Sequence, residues 1–461
     1  MSLIGAYIVP HPPLIIPEIG KGEESKIQKT VNAYREIARR IALSQPDTII
    51  VTTPHSILYA DYLHISLGGH AEGNFREFGA PGVRINVDYD KEMIDSLSTL
   101  AQEAAIPAGT LGERNSALDH ATMVPLYFVN QEYKDYKAVR ISISGLSPLT
   151  HYRFGQCIAD AAERSRKKIV LVASGDLSHK LKEDGPYGFA AEGPLFDQAV
   201  TEAMNSGDFL RFLNFDEAFG EAAAECGLPS FLIMAGALDG KAVKSELLSY
   251  EGPFGVGYAI AAFETTGDDE SRRFGKIFTQ NQIDRVKKIK DDEDPFVQLA
   301  RQSLERYIKT QQFLDRPANL PDELTNERAG VFVSLKMDGR LRGCIGTISP
   351  TTTSIADEII QNAISAGTDD PRFEPVGKDE LSRLVYSVDV LGKAEPISSM
   401  EELDVKRYGV IVSTANRRGL LLPNLEGIDA PEQQVAIALQ KAGISANENY
   451  RMQRFEVVRH Q

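Results

Sequence analysis

Residues 167–179 read KKIVLVASGDLSH, a lysine pair followed by Ile-Val-Leu-Val-Ala and then a turn-rich Ser-Gly-Asp-Leu-Ser-His. A short unbroken apolar run between a charged start and a glycine-containing loop reads as a strand buried on both faces. The same texture recurs on either side, in LIGAYIVP (3–10), TIIVTTP (48–54), KAVRISIS (137–144) and FGVGYAIAAFE (254–264). Between the first two lies 22–44, whose apolar residues fall at helical spacing and which Gln45-Pro46-Asp47 brings to a stop, and a further helix is expected near 153–166. Strands that alternate with helices predict an α/β domain over 1–265, with a mixed, largely parallel sheet and helices on both faces.

Beyond residue 265 the texture changes. TTGDDESRRFGK and KKIKDDEDP are charged and poor in apolar residues, which predicts a charged linker over 266–289. A helix beginning DPFVQLARQSLERYIKTQQ opens 290–461, followed by AGVFVSLKMDGRLRGCIGTI, LVYSVDVLG and YGVIVSTANRRGLLLP, with helical stretches at 353–365 and 431–443. This predicts a smaller α+β domain. The length of 461 residues suits two cores. A net charge of −15 disfavours a polyanionic partner such as nucleic acid. The sequence has no long apolar run, its N-terminus lacks a basic region and cleavage site, and its three cysteines match no zinc spacing. Together these lead us to expect a cytoplasmic protein with no membrane span.

Seven of the eight histidines lie in the first 180 residues, so a histidine-rich metal site would belong to the first domain. His11 (VPHPP), His55 (TTPHS), His120 (LDHATMVPLYF) and His179 (SGDLSHK) follow apolar runs or sit in turn-rich stretches. In an α/β sheet the loops past the C-terminal strand ends converge on one crevice, which would gather residues distant in sequence. Two imidazoles and a carboxylate leave open positions on an octahedral Fe(II), and the carboxylate candidate is Glu225 in EAAAECGLPSFLIMAGAL. Its neighbour is Cys226, and the residues alone leave open which of the two faces a metal. His64, His70 and His151 match none of these loops and read as surface or structural. Cys157 reads as a small buried residue.

VPHPPL, PHS, DHATMVPL, SGDLSHK and ECGLPSFLIMAGAL, in that order, resemble the class III extradiol dioxygenases of LigB type and their relatives, the MEMO proteins. The resemblance implies His11, His55 and Glu225 as ligands of Fe(II), with zinc or another divalent ion as the alternative. It further implies His179 as an acid/base and His120 as a group near bound O2, and a small catecholic or aminophenol-like substrate. MEMO-type relatives carry a cysteine where the dioxygenases use the glutamate, which makes Cys226 the alternative ligand and points to a softer ion or a redox role. These relatives often associate, so a homo-oligomer is expected.

In the second domain, LRGCIGTI (341–348), DDPRFEPV (369–376), LVYSVDVL (384–391) and YGVIVSTANRRGLLLP (408–423) resemble the AMMECR-type domain. That resemblance implies a pocket around Cys344, Arg342 and Arg372, with Arg417 or Arg418 nearby, where guanidinium groups would hold a carboxylate or phosphate. It also implies a shared task with a radical SAM protein as a third partner.

Overall fold

The computed structural model describes residues 2–114, 117–425 and 427–461. It divides into a unit ending at Thr279 and a second running from Gln280 to Gln461. The first is built on a six-stranded sheet. Strands Lys137–Ser142, Thr48–Thr53, Ile169–Ser174 and Leu3–Val9 run parallel in that spatial order, and Tyr258–Asp268 and Lys241–Glu251 add antiparallel at one edge. The sheet is therefore mixed and largely parallel. Every residue of Thr48–Thr53 and of Ile169–Ser174 is buried, as their unbroken apolar runs require.

Helices Gln28–Ser44 and His120–Glu132 pack together beside the sheet, and Pro148–Ser165 packs along Leu228–Ala237. The second pair meets at two glycines. A methyl group at Gly155 would lie 2.0 Å from the Ile233 carbonyl oxygen, and one at Gly236 would lie 1.8 Å from that of Tyr152. The small residues let the two backbones touch. A hairpin, His70–Phe75 with Ala80–Asp88, stands apart from the main sheet and walls one side of the crevice described below.

The charged stretch 266–289 is structured. It holds the end of strand Tyr258–Asp268 and most of helix Phe274–Asp291, in which Val286 is the buried residue among those described. Its Lys, Arg and Gln residues are good helix formers, Gln280 Nε2 donates to Asp284 Oδ1 one turn on, and Phe274 and Phe278 pack against the core of the first unit, so a largely solvated helix forms. The second unit is an antiparallel sheet with strands ordered Arg340–Gly346, Val331–Met337, Leu384–Leu391, Arg451–His460, Tyr408–Ser413 and Arg418–Leu421. Helices Pro295–Thr310 and Ile355–Thr368 supply much of its core. Among the described residues no helix is long and apolar enough to cross a membrane.

Replacing glycine inside a helix ordinarily gains about 1 kcal/mol of propensity. At Gly155 the overpacking against the Ile233 carbonyl should exceed that gain, since forced core contacts cost roughly 1–3 kcal/mol or more. Gly155→Ala should therefore lower the urea midpoint of the first unit, and a raised midpoint would refute the close-contact account.

Candidate metal centre

Three parallel strands end at one level. Val9 pairs with Ser174 and Thr52 with Ala173, so the loops carrying His11, His55 and the Ser-Gly-Asp-Leu-Ser-His turn emerge side by side. The backbone N–H of His11 donates to Asp176 Oδ1 at 2.8 Å, which ties the first loop to the third. His55 is held by its own N–H on Thr53 Oγ1 (3.2 Å), and that hydroxyl donates to Asp119 Oδ1 at 2.7 Å. Asp119 also caps the helix that begins at His120, accepting from Thr122 N at 2.9 Å. One carboxylate therefore sets the positions of both His55 and His120.

The imidazoles form a cluster. Ring centroids lie 4.8 Å apart for His11 and His55, 4.4 Å for His55 and His120, and 5.5 Å for His11 and His120. The tautomer of the buried His11 follows from its partners. Ser174 has one hydroxyl proton and donates it to the Ala121 carbonyl at 2.7 Å, so the 3.1 Å contact from His11 Nδ1 to Ser174 Oγ requires Nδ1 to carry the proton. The lone pair of Nε2 is left facing the cluster, the arrangement a metal-binding histidine needs.

The fourth group arrives from the loop before helix Leu228–Ala237. Here Gly175 and Gly227 touch, since a methyl group on Gly175 would lie 2.2 Å from Gly227 Cα. This contact brings Cys226 Sγ to 3.8 Å from His11 Nε2 and 3.7 Å from the Asp176 carbonyl oxygen. Ligand atoms of His11, His55 and Cys226 all lie within 4.8 Å of one another. Two donors at bond lengths of about 2.0–2.3 Å from a common ion are roughly 3.1–3.6 Å apart, so the donor set fits one ion with a small contraction. Glu225 is placed differently. Its Oε2 accepts from Leu228 N at 2.6 Å, on the first turn of the helix that follows. The side chain that meets the histidines is that of Cys226.

Burial depresses the basicity of the whole cluster. His11 is held well below the usual imidazole range by desolvation and then by the neighbouring His55, His120 and His179. His120 is pushed down to about 4 by burial and by His55, against a smaller opposing pull from Asp119. His55 turns much of its surface to solvent, but its ring is desolvated among the others and its pKa is lowered for that reason. His179 lies 5.1 Å from Tyr187, ring to ring, is lowered by burial, and has a buried Nδ1 with no hydrogen-bond partner among the described residues. At neutral pH these imidazoles are uncharged, the form that binds metals and accepts protons. Burial also raises Asp176 and Glu225 to about 7, and lifts the Cys226 thiol well above its usual value.

His64 and His151 are buried and hydrogen-bonded, to the Glu113 carbonyl and to Ser144 N and the Ser147 carbonyl, while His70 is exposed beside Asp88. Cys157 is buried. Three groups that hold the site, Ser174, Asp176 and Asp119, stand inside SGDLSHK and LDHATMVPL, where only the histidines had been singled out. Their signal was a short polar residue in each histidine-bearing motif.

In the second unit, Cys344 N donates to Asp370 Oδ2 at 2.8 Å and Arg372 forms two bonds to the same carboxylate, at 2.9 and 2.7 Å. Arg372 also reaches the Cys344 carbonyl, and Arg342 is paired bidentately with Glu380. Both guanidinium groups lie near the Phe373 ring. Cys344, Arg342 and Arg372 are thus gathered, with their charges already matched by the chain's own carboxylates. Arg417 is engaged with Glu448 and the Gly443 carbonyl, and Arg418 with Ser349.

Comparison with known proteins fits this division. A Clostridium acetobutylicum protein, CA_C1420, is 44% identical over 468 residues, covering 100% of this chain and 99% of its own length. A Thermotoga maritima protein is 48% identical over 170 residues, 36% of this chain and 98% of its own. Among solved structures, the uncharacterized PH0010 of Pyrococcus horikoshii shares 34% identity, covering 36% of this chain and 88% of its own, with a TM-score of 0.34. The uncharacterized JW3007 of Escherichia coli K12 shares 18% identity, covering 56% and 99%, with a TM-score of 0.39. Residues 297–460 match AMMECR1, and residues 5–261 match the catalytic LigB subunit of aromatic ring-opening dioxygenase. The chain belongs to the LigB family and carries an AMMECR1 domain fused behind it.

Proposed function

We propose that the first unit binds one divalent transition-metal ion through His11, His55 and the thiolate of Cys226, and that this ion serves a MEMO-like binding or redox role. What supports the reading is the direction of two adjacent side chains. Cys226 Sγ points at the histidines while the Glu225 carboxylate is bonded to Leu228 N. A thiolate beside two imidazoles suits zinc, copper or iron, and is a softer set than two histidines and a carboxylate. A bound ion would supply Lewis acidity and, if redox-active, an electron route. The chain's own residues do the rest. Ser174 fixes His11 in the tautomer that offers Nε2, Asp119 orients His55 and His120, and neutral His179 is available to take a proton from a bound acid.

A second reading keeps extradiol ring opening, with Fe(II), O2 and a catecholic or aminophenol-like ring. The LigB match over 5–261 and the two neutral imidazoles outside the donor triad, His120 and His179, favour it. The iron-loaded protein would then consume O2 with catechols in a His179-dependent manner. Metal binding without O2 uptake on any catechol or aminophenol would leave the first reading alone standing. For the fused AMMECR1 domain we propose a task shared with the first unit, with a radical SAM protein as third member.

Metal affinity separates the two adjacent ligand candidates. Cys226→Ser should weaken zinc or iron(II) binding by at least about 10–100-fold, whereas Glu225→Gln keeps an acceptor for Leu228 N and should change it only a few-fold. Titration calorimetry of both variants checks this, and the reverse order would return the ligand role to Glu225. The pH dependence has a definite sign. The thiol pKa is raised, so at neutral pH the thiol carries its proton in the metal-free state and must lose it when the ion binds. Affinity should rise about tenfold per pH unit from pH 7 upward. A pH-independent affinity would show that Cys226 is not a ligand.

A further inference from the structure

A cavity of about 870 Å³ opens directly beside His55 and His120, and the hairpin His70–Phe75/Ala80–Asp88 forms its outer wall. Strand alternation gives this hairpin two different faces. Ala71, Phe75, Ile85 and Val87 are buried, while Glu72, Asn74, Arg84 and Asn86 are exposed and line the cavity, with Asn74 opposite Arg84 and Glu72 opposite Asn86. The wall is held in place at Gly73, where a methyl group would lie 2.5 Å from Met123 Sδ and 2.9 Å from the Leu118 carbonyl oxygen. Leu118 N in turn donates to the Glu72 carbonyl, and the Phe78 ring stands edge-on to His120 at 5.3 Å. The platform and the histidine cluster are therefore parts of one rigid crevice.

The arginines of this crevice are not alike. Arg140 is consumed by structure, donating to Ser66 Oγ at 2.7 Å and to the Ala117 carbonyl at 2.6 Å, with Asp119 at 3.6 Å. The guanidinium groups of Arg76 and Arg84 have no ion pair or side-chain hydrogen bond with any described residue, although Glu72 and Glu77 line the same cavity. Many other arginines of this acidic chain are matched, as Arg342 is by Glu380 and Arg459 by Asp389. Two unmatched guanidinium groups facing one cavity, with carboxamides beside them, make a receptor for an anion.

We infer that Arg76 and Arg84 form an anion subsite, and that the molecule handled beside His55 and His120 is a small compound bearing a carboxylate or phosphate group. This inference names a ligand class for the centre proposed above and rests on that reading only for what the rest of the ligand meets. The cavity volume suits a ligand of a few tens of heavy atoms at most, within the usual range for small-molecule sites. Asn74 and Asn86 can donate to the same anion, and Glu72 and Glu77 provide acceptors for N–H groups elsewhere on the ligand.

Calorimetry on the full chain, with and without zinc, tests the subsite using 3,4-dihydroxybenzoate, catechol, benzoate and inorganic phosphate. The carboxylated catechol should bind at least about tenfold more tightly than catechol, with the advantage shrinking as salt is raised. Benzoate should compete with it. Arg76→Gln with Arg84→Gln should remove the preference, with circular dichroism verifying the fold of the double variant, and Arg84→Lys should retain part of it. Displacement of benzoate by phosphate with the same arginine dependence would assign the anion to phosphate and support the subsite. Equal binding of catechol and 3,4-dihydroxybenzoate would overturn it, as would absence of binding by every anion or a preference that survives the double variant. An arginine-dependent preference that is the same with and without zinc supports the subsite while counting against the metal reading, so the two can fail separately.

Discussion

The histidine cluster depends on the parallel pairing that sets Val9 beside Ser174 and Thr52 beside Ala173. This register decides where each strand stops, and therefore which loop residues meet. A slip of one residue would turn every side chain to the opposite face and shift the strand ends, so the loop residues would no longer meet. Ser174 shows how tightly register and chemistry are joined. It is the last residue of its strand, and its hydroxyl both anchors to Ala121 and fixes the proton on His11 Nδ1. The hydrogen-bonding capacity of one buried serine is thereby used up in choosing a tautomer.

Electrostatics then selects the state of the cluster. Two imidazolium charges about 5 Å apart would repel by roughly 3 kcal/mol even at an effective dielectric constant near 20. With three rings at mutual centroid distances between 4.4 and 5.5 Å, that repulsion adds to desolvation, and the neutral forms win at physiological pH. A neutral, donor-rich pocket whose nearby acids, Asp176 and Glu225, are also partly protonated at neutral pH suits a cation. The same reasoning separates Glu225 from Cys226. Turning the Glu225 carboxylate toward the histidines would leave Leu228 N without its partner at the positive end of a helix, a cost of about 1–3 kcal/mol. The Cys226 thiol gives up only weak contacts when it turns to a metal.

Much of the architecture was legible in the chain. Runs such as TIIVTT and IVLVAS can be buried only on both faces, which calls for a parallel sheet with helices against it, and strand ends then predict a crevice. His11 and His55 could be singled out for that reason. What could not be read was direction. Glu225 and Cys226 are adjacent, and which of them approaches the histidines follows from a contact between Gly175 and Gly227, which are far apart in the chain and meet only in three dimensions. The charged stretch after residue 265 holds a helix that its polarity did not announce, because Lys, Arg and Gln also sustain a largely solvated helix. Arg76 and Arg84 carried no sequence signal, because an unmatched arginine differs from a matched one only in its neighbours.

Family membership and chemistry thus separate at a single position. The LigB match spans the sheet and both His11 and His55, features that a ring-opening dioxygenase and a thiolate metal centre can share equally. The third donor is what distinguishes them, because a carboxylate leaves Fe(II) hard and open to a chelating catecholate and O2, while a thiolate donates more charge and favours softer ions. In this chain the carboxylate is engaged one residue away, in capping a helix. That cap and the thiol's approach are geometrically linked, since both follow from the same short loop between Ala224 and Leu228. A change that frees Glu225 would therefore also be expected to move Cys226. On the proposed reading, the donor set is a property of the loop conformation that the contact between Gly175 and Gly227 permits.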